Sequence, residues 1–182
     1  VVGPDNRSHN AFWLLADDGT AFVELANASG LTLLSQLRPL EAHTFGLGQI
    51  LYNISRDDQI ERVIIALGGS SSTDGGTGAL RALGFHFLDE GGRELDLGGG
   101  SLHSLSRIET SAAHEPPSGG VICLLDVDTP MLGERGSAAL FAPQKGADSE
   151  EVALLEEGLT RFQEVVGVMD SPGAGAAGGT AY

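Results

Sequence analysis

Short apolar blocks alternate with polar, glycine-rich segments along the chain. Two such blocks, at 12–15 and 22–25, are joined by a segment with an Asp-Gly pair, which is typical of a β-hairpin turn. Two others, at 62–67 and 121–127, are short and apolar on both faces. Parallel strands covered by helices have this pattern. The chain is therefore predicted to contain a hairpin and two buried strands.

One long segment shows helical periodicity, at residues 149–166. Asp148 and Glu151 match a capping box at its start. Apolar residues then recur at spacings of three and four, which predicts an amphipathic helix that buries one face. The residues predicted to form this face are Val152, Leu155, Leu159, Phe162 and Val166.

The remaining elements are shorter. Thr44 is predicted to cap a helix in which Gly46 and Gly48 indicate close approach of another backbone segment. A helix before Gly84 and a hairpin with a Gly-Gly turn at 85–95 follow. Together these patterns predict an α/β fold, in which a mixed sheet carries flanking helices and peripheral β-hairpins.

Composition narrows the classes of function. The formal net charge of −15 and the scattering of only ten basic residues exclude nucleic acid as a favoured partner. No apolar stretch reaches the length of a membrane-spanning helix, so we expect no membrane insertion. The single cysteine, Cys123, lies in an apolar block and is expected to be buried. Because the chain begins with Val1 and carries no leader pattern, we interpret it as part of a longer protein.

The segment "ALGGSSSTDGGTGAL" at 66–80 follows a predicted buried strand and leads into a helix. Free amides at a helix N-terminus bind anions, and the hydroxyls add donors. Asp74 is a candidate for Mg²⁺ binding or proton acceptance. The alternative is an ordinary strand-to-helix turn in which Thr73 or Asp74 caps the helix. The candidate phosphate-binding residues in this loop are Gly68, Gly69, Ser70, Thr73, Gly75 and Gly76.

Two further segments carry candidate chemistry. In "LLDVDTP", Asp126 and Asp128 are placed on one face at the end of a strand, which suits metal coordination or general-base catalysis. A solvated turn before a proline is the alternative. In "FAPQKGA", Lys145 is the only lysine of the chain and lies beside Gln144. Both are candidates for contacts to phosphate oxygens, although a solvated loop lysine is the ordinary alternative.

The segment "GAGAAG" at 173–178 has the spacing of a dinucleotide-binding turn. It follows "DSP" rather than a predicted strand, so the match is weak. A nicotinamide-dependent oxidoreductase is therefore a poor interpretation.

Several blocks together resemble the bacterial type I glycerate kinases. They are "LGGSSSTDGGTGALRALGFHFLD", "GGGSLHSLSRIE", "DVDTPMLGERGSAALFAPQKGA" and "PGAGAAGG", with "ELANASGL" and "TFGLGQIL" before them. The chain departs from the usual family pattern at Thr73, Leu125 and Thr129. The family's N-terminal "PDSFKG" and C-terminal "GEGxxDxQT" types of motif are absent from it.

The resemblance implies an ATP- and Mg²⁺-dependent cytoplasmic enzyme that phosphorylates D-glycerate, usually to 2-phosphoglycerate. It implies two α/β domains with the active site between them. Residues 1–182 would be the inserted domain with part of its C-terminal flank, and the second domain of the polypeptide would lie outside this chain. The resemblance also makes Asp126 and Asp128 candidate metal ligands, and Asp74 and Lys145 candidate catalytic residues. The alternative is a catalytically silent domain that is structural or binds a small ligand.

Overall fold

The computed structural model describes the whole chain, Val1–Tyr182. The strands are β1 (Leu14–Leu15), β2 (Thr20–Glu24), β3 (Arg62–Ala66), β4 (His86–Leu88), β5 (Arg107–Glu109) and β6 (Val121–Leu124). The α-helices are α1 (Leu25–Ser29), α2 (Phe45–Ser55), α3 (Thr77–Ala82), α4 (Ser137–Phe141), α5 (Ser149–Val166) and α6 (Ala176–Gly179). Three 3₁₀ helices span Leu31–Leu33, Gly99–Ser104 and Pro143–Lys145.

The main sheet has four strands in the order β1-β2-β3-β6. β1 and β2 form the predicted antiparallel hairpin, whereas β2, β3 and β6 run parallel. β4 and β5 form a separate antiparallel pair, and Leu88 is bridged to Glu94 across the predicted second turn. The predicted α/β fold with a mixed sheet, helices and peripheral hairpins is confirmed.

Two apolar cores hold these elements together. The first lies between one face of the main sheet, with Val63 and Ile65, and α2, with Leu47. The second surrounds α5, whose Leu155 and Leu159 are fully buried. The capping box at the start of α5 is confirmed, as is burial of the middle of its apolar face.

The other face of the main sheet is open. The strand register places Leu14, Phe22, Ile64 and Ile122 side by side across this face. Leu14, Phe22 and Ile122 are 64%, 42% and 45% exposed. The prediction that both faces of the parallel strands are buried is therefore wrong, because no helix of this chain covers this one.

β6 departs furthest from its predicted burial. It ends at Leu124 instead of extending to residue 127, and all four of its residues are exposed. Cys123 is likewise exposed and not buried. The physical reason is that β6 pairs with β3 on one side only and forms the edge of the sheet. No helix of the structure is both long enough and apolar enough to cross a lipid bilayer.

The predicted close approach at the glycines of α2 is confirmed. A Cβ atom at Gly48 would lie 2.2 Å from the carbonyl oxygen of Ala79 in α3. This glycine lets the two helices touch through their backbones. Contact between α2 and α3 fixes where the loop before α3 runs, and that loop is the one singled out in the sequence.

We expect Gly48→Ala to lower the free energy of unfolding by about 1–3 kcal/mol, because α3 must move away from the added methyl group. Urea denaturation measures this change. Gly68→Ala is the matched control, since a Cβ at Gly68 meets no atom within 4 Å. Equal stability of the two variants would contradict the proposed packing.

Candidate active site

A cavity of about 300 Å³ opens beyond the C-terminal ends of β3 and β6. Ligand sites of open α/β sheets commonly lie at this end of parallel strands. The cavity brings together the loop at 68–78, called here the glycine loop, the segment after β6 and the lysine segment at 141–147, which are far apart in the sequence. The lining residues are Leu31, Leu67, Gly68, Gly69, Ser70, Asp126, Val127, Phe141, Gln144, Lys145, Ala177 and Gly178.

The first part of the glycine loop forms one wall of this cavity. Ser71 is anchored to the end of α1, because its amide and hydroxyl donate to the carbonyl oxygen of Ser29 at 3.0 and 2.8 Å. The amides of Gly68, Gly69 and Ser70 donate to no protein acceptor. Successive free amides of this kind can bind an anion. The missing side chain at Gly68 leaves open space in which a ligand can approach.

The second part of the loop is committed to the protein. The buried carboxylate of Asp74 accepts hydrogen bonds from the amide and hydroxyl of Thr44, at 2.9 and 2.8 Å. It also accepts from the amides of Gly76, at 3.3 Å, and Gly78, at 3.2 Å. The first amides of α3 are therefore already occupied. The predicted anion cradle at this helix N-terminus is wrong in its location, and free amides occur earlier in the loop.

Four predicted site residues in this second part of the loop do not line the cavity: Thr73, Asp74, Gly75 and Gly76. Asp74 and Thr73 are fully buried. A Cβ at Gly75 would contact Phe162, and one at Gly76 would contact Thr180. The prediction for Thr44 is also corrected. It occupies the N-cap position of α2, but its hydroxyl donates to Asp74 and makes no capping hydrogen bond to α2.

Lys145 is buried and lines the cavity. Its side chain is 2% exposed, and Nζ donates to Ser70 Oγ at 2.9 Å and to the carbonyl oxygen of Ser72. Burial lowers the pKa of Lys145 to about 8, and the negative charge of Asp74 opposes this shift. An ammonium group has three hydrogens, so one remains for a ligand. The interpretation as a solvated loop lysine is wrong. Its neighbour Gln144 is exposed at the cavity.

The two acids after β6 are separated by the fold. Because β6 ends at Leu124, Asp126 and Asp128 lie in a loop and not on one strand face. Both are exposed, but only Asp126 lines the cavity. No group of three or more His, Cys, Asp or Glu side chains is arranged to hold a metal ion. Mg²⁺ is commonly bound by one or two carboxylates together with substrate phosphates, so Asp126 fits a metal that arrives with a nucleotide.

The sequence reasoning missed the bend formed by Ala177 and Gly178. A Cβ at Gly178 would lie 2.1 Å from the carbonyl oxygen of Ser72, and Gly178 accepts a hydrogen bond from the amide of Gly75 at 3.0 Å. Ala177 has φ of 52°, a conformation that costs energy for a residue with a side chain. Gly178 therefore serves close packing against the glycine loop, whereas Gly173 and Gly175 lie against Leu125 and Pro130 in the segment after β6. The high density of glycines at 173–178 was the sequence signal from which such close contacts could have been expected.

Comparison with known protein families matches residues 1–182 to the group described as "Glycerate kinase family". The chain belongs to the glycerate kinase family. Among the relatives of this family member, "Glycerate 2-kinase" of Escherichia coli (strain K12) is 39% identical over 98% of this chain and 49% of that protein. "Glycerate kinase" of Bacillus subtilis (strain 168) is 37% identical over 100% of this chain and 50% of that protein.

A crystal structure described as glycerate kinase 2 from Salmonella typhimurium LT2 superposes on this family member with a TM-score of 0.93. The two are 36% identical, and the match covers 100% of this chain and 51% of that one. The chain spans about half the length of the curated relatives it matches. The fold of this half is therefore that of the family.

For this glycerate kinase family member we expect Asp74→Asn to lower the free energy of unfolding by about 1–3 kcal/mol, because an amide in place of the carboxylate leaves buried donors unmatched. Asp126→Asn should change it by no more than about 0.5 kcal/mol, since the side chain is exposed. Chemical denaturation of both variants tests this contrast. A stable Asp74→Asn protein would return Asp74 to the list of candidate catalytic groups.

The lowered pKa of Lys145 predicts a specific pH dependence of stability. Between about pH 8 and 10.5 the unfolded chain retains the lysine proton while the folded chain has lost it. The unfolded state then binds more protons, so stability of the wild type should rise with pH relative to Lys145→Met. Lys145→Arg stays charged throughout and should show no such rise. Parallel pH profiles of wild type and Lys145→Met, measured by urea denaturation, would contradict this.

Proposed function

We propose that this chain forms one wall of the active site of a bacterial type I glycerate kinase. The whole enzyme would transfer the terminal phosphoryl group of ATP to a hydroxyl of D-glycerate. The observation that carries the proposal is that free loop amides, a buried lysine and an exposed carboxylate meet at one cavity. Transfer to the 2-hydroxyl, which yields 2-phosphoglycerate, is supported by the 39% identity to a relative named "Glycerate 2-kinase".

Phosphoryl transfer depends chiefly on positioning and on neutralising the charge of the phosphates. The amides of Gly68, Gly69 and Ser70 suit binding of phosphate oxygens or the glycerate carboxylate. Lys145 adds a positive charge behind Ser70, and Gln144 offers an amide at the cavity surface. These groups are proposed to hold the anionic part of the reactants while the hydroxyl of glycerate approaches.

Asp126 is proposed to hold Mg²⁺ together with ATP, or to accept the proton of the attacking hydroxyl. Bound Mg²⁺ supplies charge neutralisation at the phosphates. Asp126 is favoured over Asp128 because only Asp126 lines the cavity. Asp128 is given no part in binding, because it lies outside the cavity. We assign Asp74 to holding the loop, since its carboxylate is already saturated with protein donors.

The second wall is proposed to come from the rest of the same polypeptide, with residues 1–182 as the inserted domain and part of its flank. Two observations support this. The curated relatives are about twice as long as the chain. The open apolar row of Leu14, Phe22, Ile64 and Ile122 is also the kind of surface that another layer of structure covers. D-Glycerate is the proposed small-molecule partner, and the charge of −15 disfavours nucleic acid.

A second candidate function is a catalytically silent domain that binds one ligand without turnover. The half-length match favours it for the chain alone, because half of a cleft holds only part of the required groups. Separate titrations with Mg-ATP and D-glycerate distinguish the possibilities. A binding domain retains at least one of these ligands, whereas a purely structural domain binds neither.

The first experiment is ATP- and Mg²⁺-dependent phosphorylation of D-glycerate by the 182-residue chain, beside the full-length Escherichia coli relative. We expect turnover by the relative only, with binding of Mg-ATP by the chain in isothermal titration calorimetry. Turnover by the chain would instead place every essential group within residues 1–182. Absence of all binding would overturn the proposed site.

Asp126→Asn should weaken Mg-ATP binding about tenfold, or about 1.4 kcal/mol, through loss of the carboxylate at the cavity. Asp128→Asn is the matched control, since it removes a second exposed acid two positions away and outside the cavity. Its affinity should stay within about twofold of the wild type. Equal losses in both variants would indicate a general charge effect.

A further inference from the structure

Two carboxylates that the proposed chemistry does not use hold the loop between β6 and α4. Asp170 accepts hydrogen bonds from the amides of Met131, at 2.8 Å to Oδ1, and Leu132, at 3.1 Å to Oδ2. Glu156 on α5 accepts from the next amide, that of Gly133, at 2.6 Å to Oε1. Three consecutive amides of the loop are therefore bound by two side chains.

Glu156 makes this contact from partly buried surroundings. Burial raises the pKa of its carboxyl, the Gly133 amide opposes the shift, and the charge of Asp170 adds to the rise. Its second oxygen, Oε2, is buried without a hydrogen-bond partner. The Gly133 amide is therefore the only hydrogen-bond donor that reaches the Glu156 carboxylate.

The segment at 131–133, which these carboxylates hold, connects two walls of the cavity along the chain. Before it, the carbonyl oxygen of Thr129 accepts from the amide of Gly175 at 2.9 Å, which joins the Asp126 loop to the bend at 173–178. After it, the carbonyl oxygen of Met131 accepts from the amide of Ser137 at 3.0 Å, where α4 begins. α4 leads directly into the turn that carries Lys145. Movement of this segment would shift both walls.

We propose that Asp170, assisted by Glu156, is a positioning residue for the nucleotide site. Neither side chain lines the cavity. Asp170 acts through the Met131 and Leu132 amides to set where Asp126 and the Lys145 turn lie relative to one another. The expected effect on nucleotide binding rests on the proposed function. The role of Asp170 and Glu156 in holding the loop between β6 and α4 does not depend on it.

The test compares the wild-type chain with Asp170→Ala, Asp170→Asn and Glu156→Gln. Two quantities are measured: the dissociation constant for Mg-ATP, and hydrogen exchange of peptides that cover 125–136 and 137–147. We expect Asp170→Ala to raise the dissociation constant about tenfold and to speed exchange in both peptides. Asp170→Asn retains one acceptor and should lie between it and the wild type. Glu156→Gln retains an acceptor for Gly133 and should stay near the wild type.

Asp89→Ala is the matched control. Asp89 accepts hydrogen bonds from Nε and the amide of Arg93, both at 2.9 Å, in the turn after β4 and outside the cavity. This variant should lower the melting temperature while its affinity for Mg-ATP stays within about twofold of the wild type. A drop in melting temperature alone for Asp170→Ala, with unchanged affinity, would overturn the positioning role.

The proposed nucleotide site and the positioning role of Asp170 can be overturned independently of each other. If the wild type binds no Mg-ATP, the proposed nucleotide site is wrong. Hydrogen exchange alone then tests whether Asp170 positions the loop between β6 and α4. Faster exchange that spreads to 137–147 then supports Asp170 as a positioning residue, and faster exchange confined to 125–136 overturns it. If Asp170→Ala does not fold, Asp170→Asn provides both measurements.

Discussion

Two buried charges, Asp74 within the glycine loop and Lys145 packed against it, are the constraint on which the cavity depends. Asp74 collects donors from α2 and from the start of α3, and Lys145 reaches the loop from the turn after α4. Each charge is buried because hydrogen bonds replace its lost hydration. Asp74 fixes the second part of the loop, and Lys145 fixes Ser70 and Ser72 in the first part. Gly68 to Ser70, whose amides are free, line the cavity next to this anchored part of the loop.

Small residues make this arrangement possible. The loop is crossed closely by other backbone segments, at Gly178 against Ser72 and at Gly99 against Thr73, where an added Cβ would lie 2.1 Å from a carbonyl oxygen. Such contacts exclude any side chain at those positions. Most glycines near the site are therefore required by packing, and only those with open space, such as Gly68, leave room for a ligand.

Much of the fold could be predicted because its signals are local. The capping box and apolar spacing of α5, the Asp-Gly hairpin and the strand at β3 depend on neighbours within a few residues. The exposure of β6 could not be predicted, since it depends on which strands and helices lie beside it. The candidate segments of the site were also found in advance, because glycines, a lone lysine and paired acids are conspicuous in the sequence.

The roles within those segments were decided by contacts between distant residues. Asp74 is a loop anchor because Thr44 and Gly78 donate to it, and Asp126 differs from Asp128 only through the path of the loop after β6. Local sequence carries propensities and periodicity, which settle helices, strands and turns. Burial, hydrogen-bond partners and the lowered pKa of Lys145 arise only when segments far apart in the chain meet. Sequence patterns therefore indicated the segments that meet at the candidate site, and only the tertiary structure decided which of their residues line the cavity.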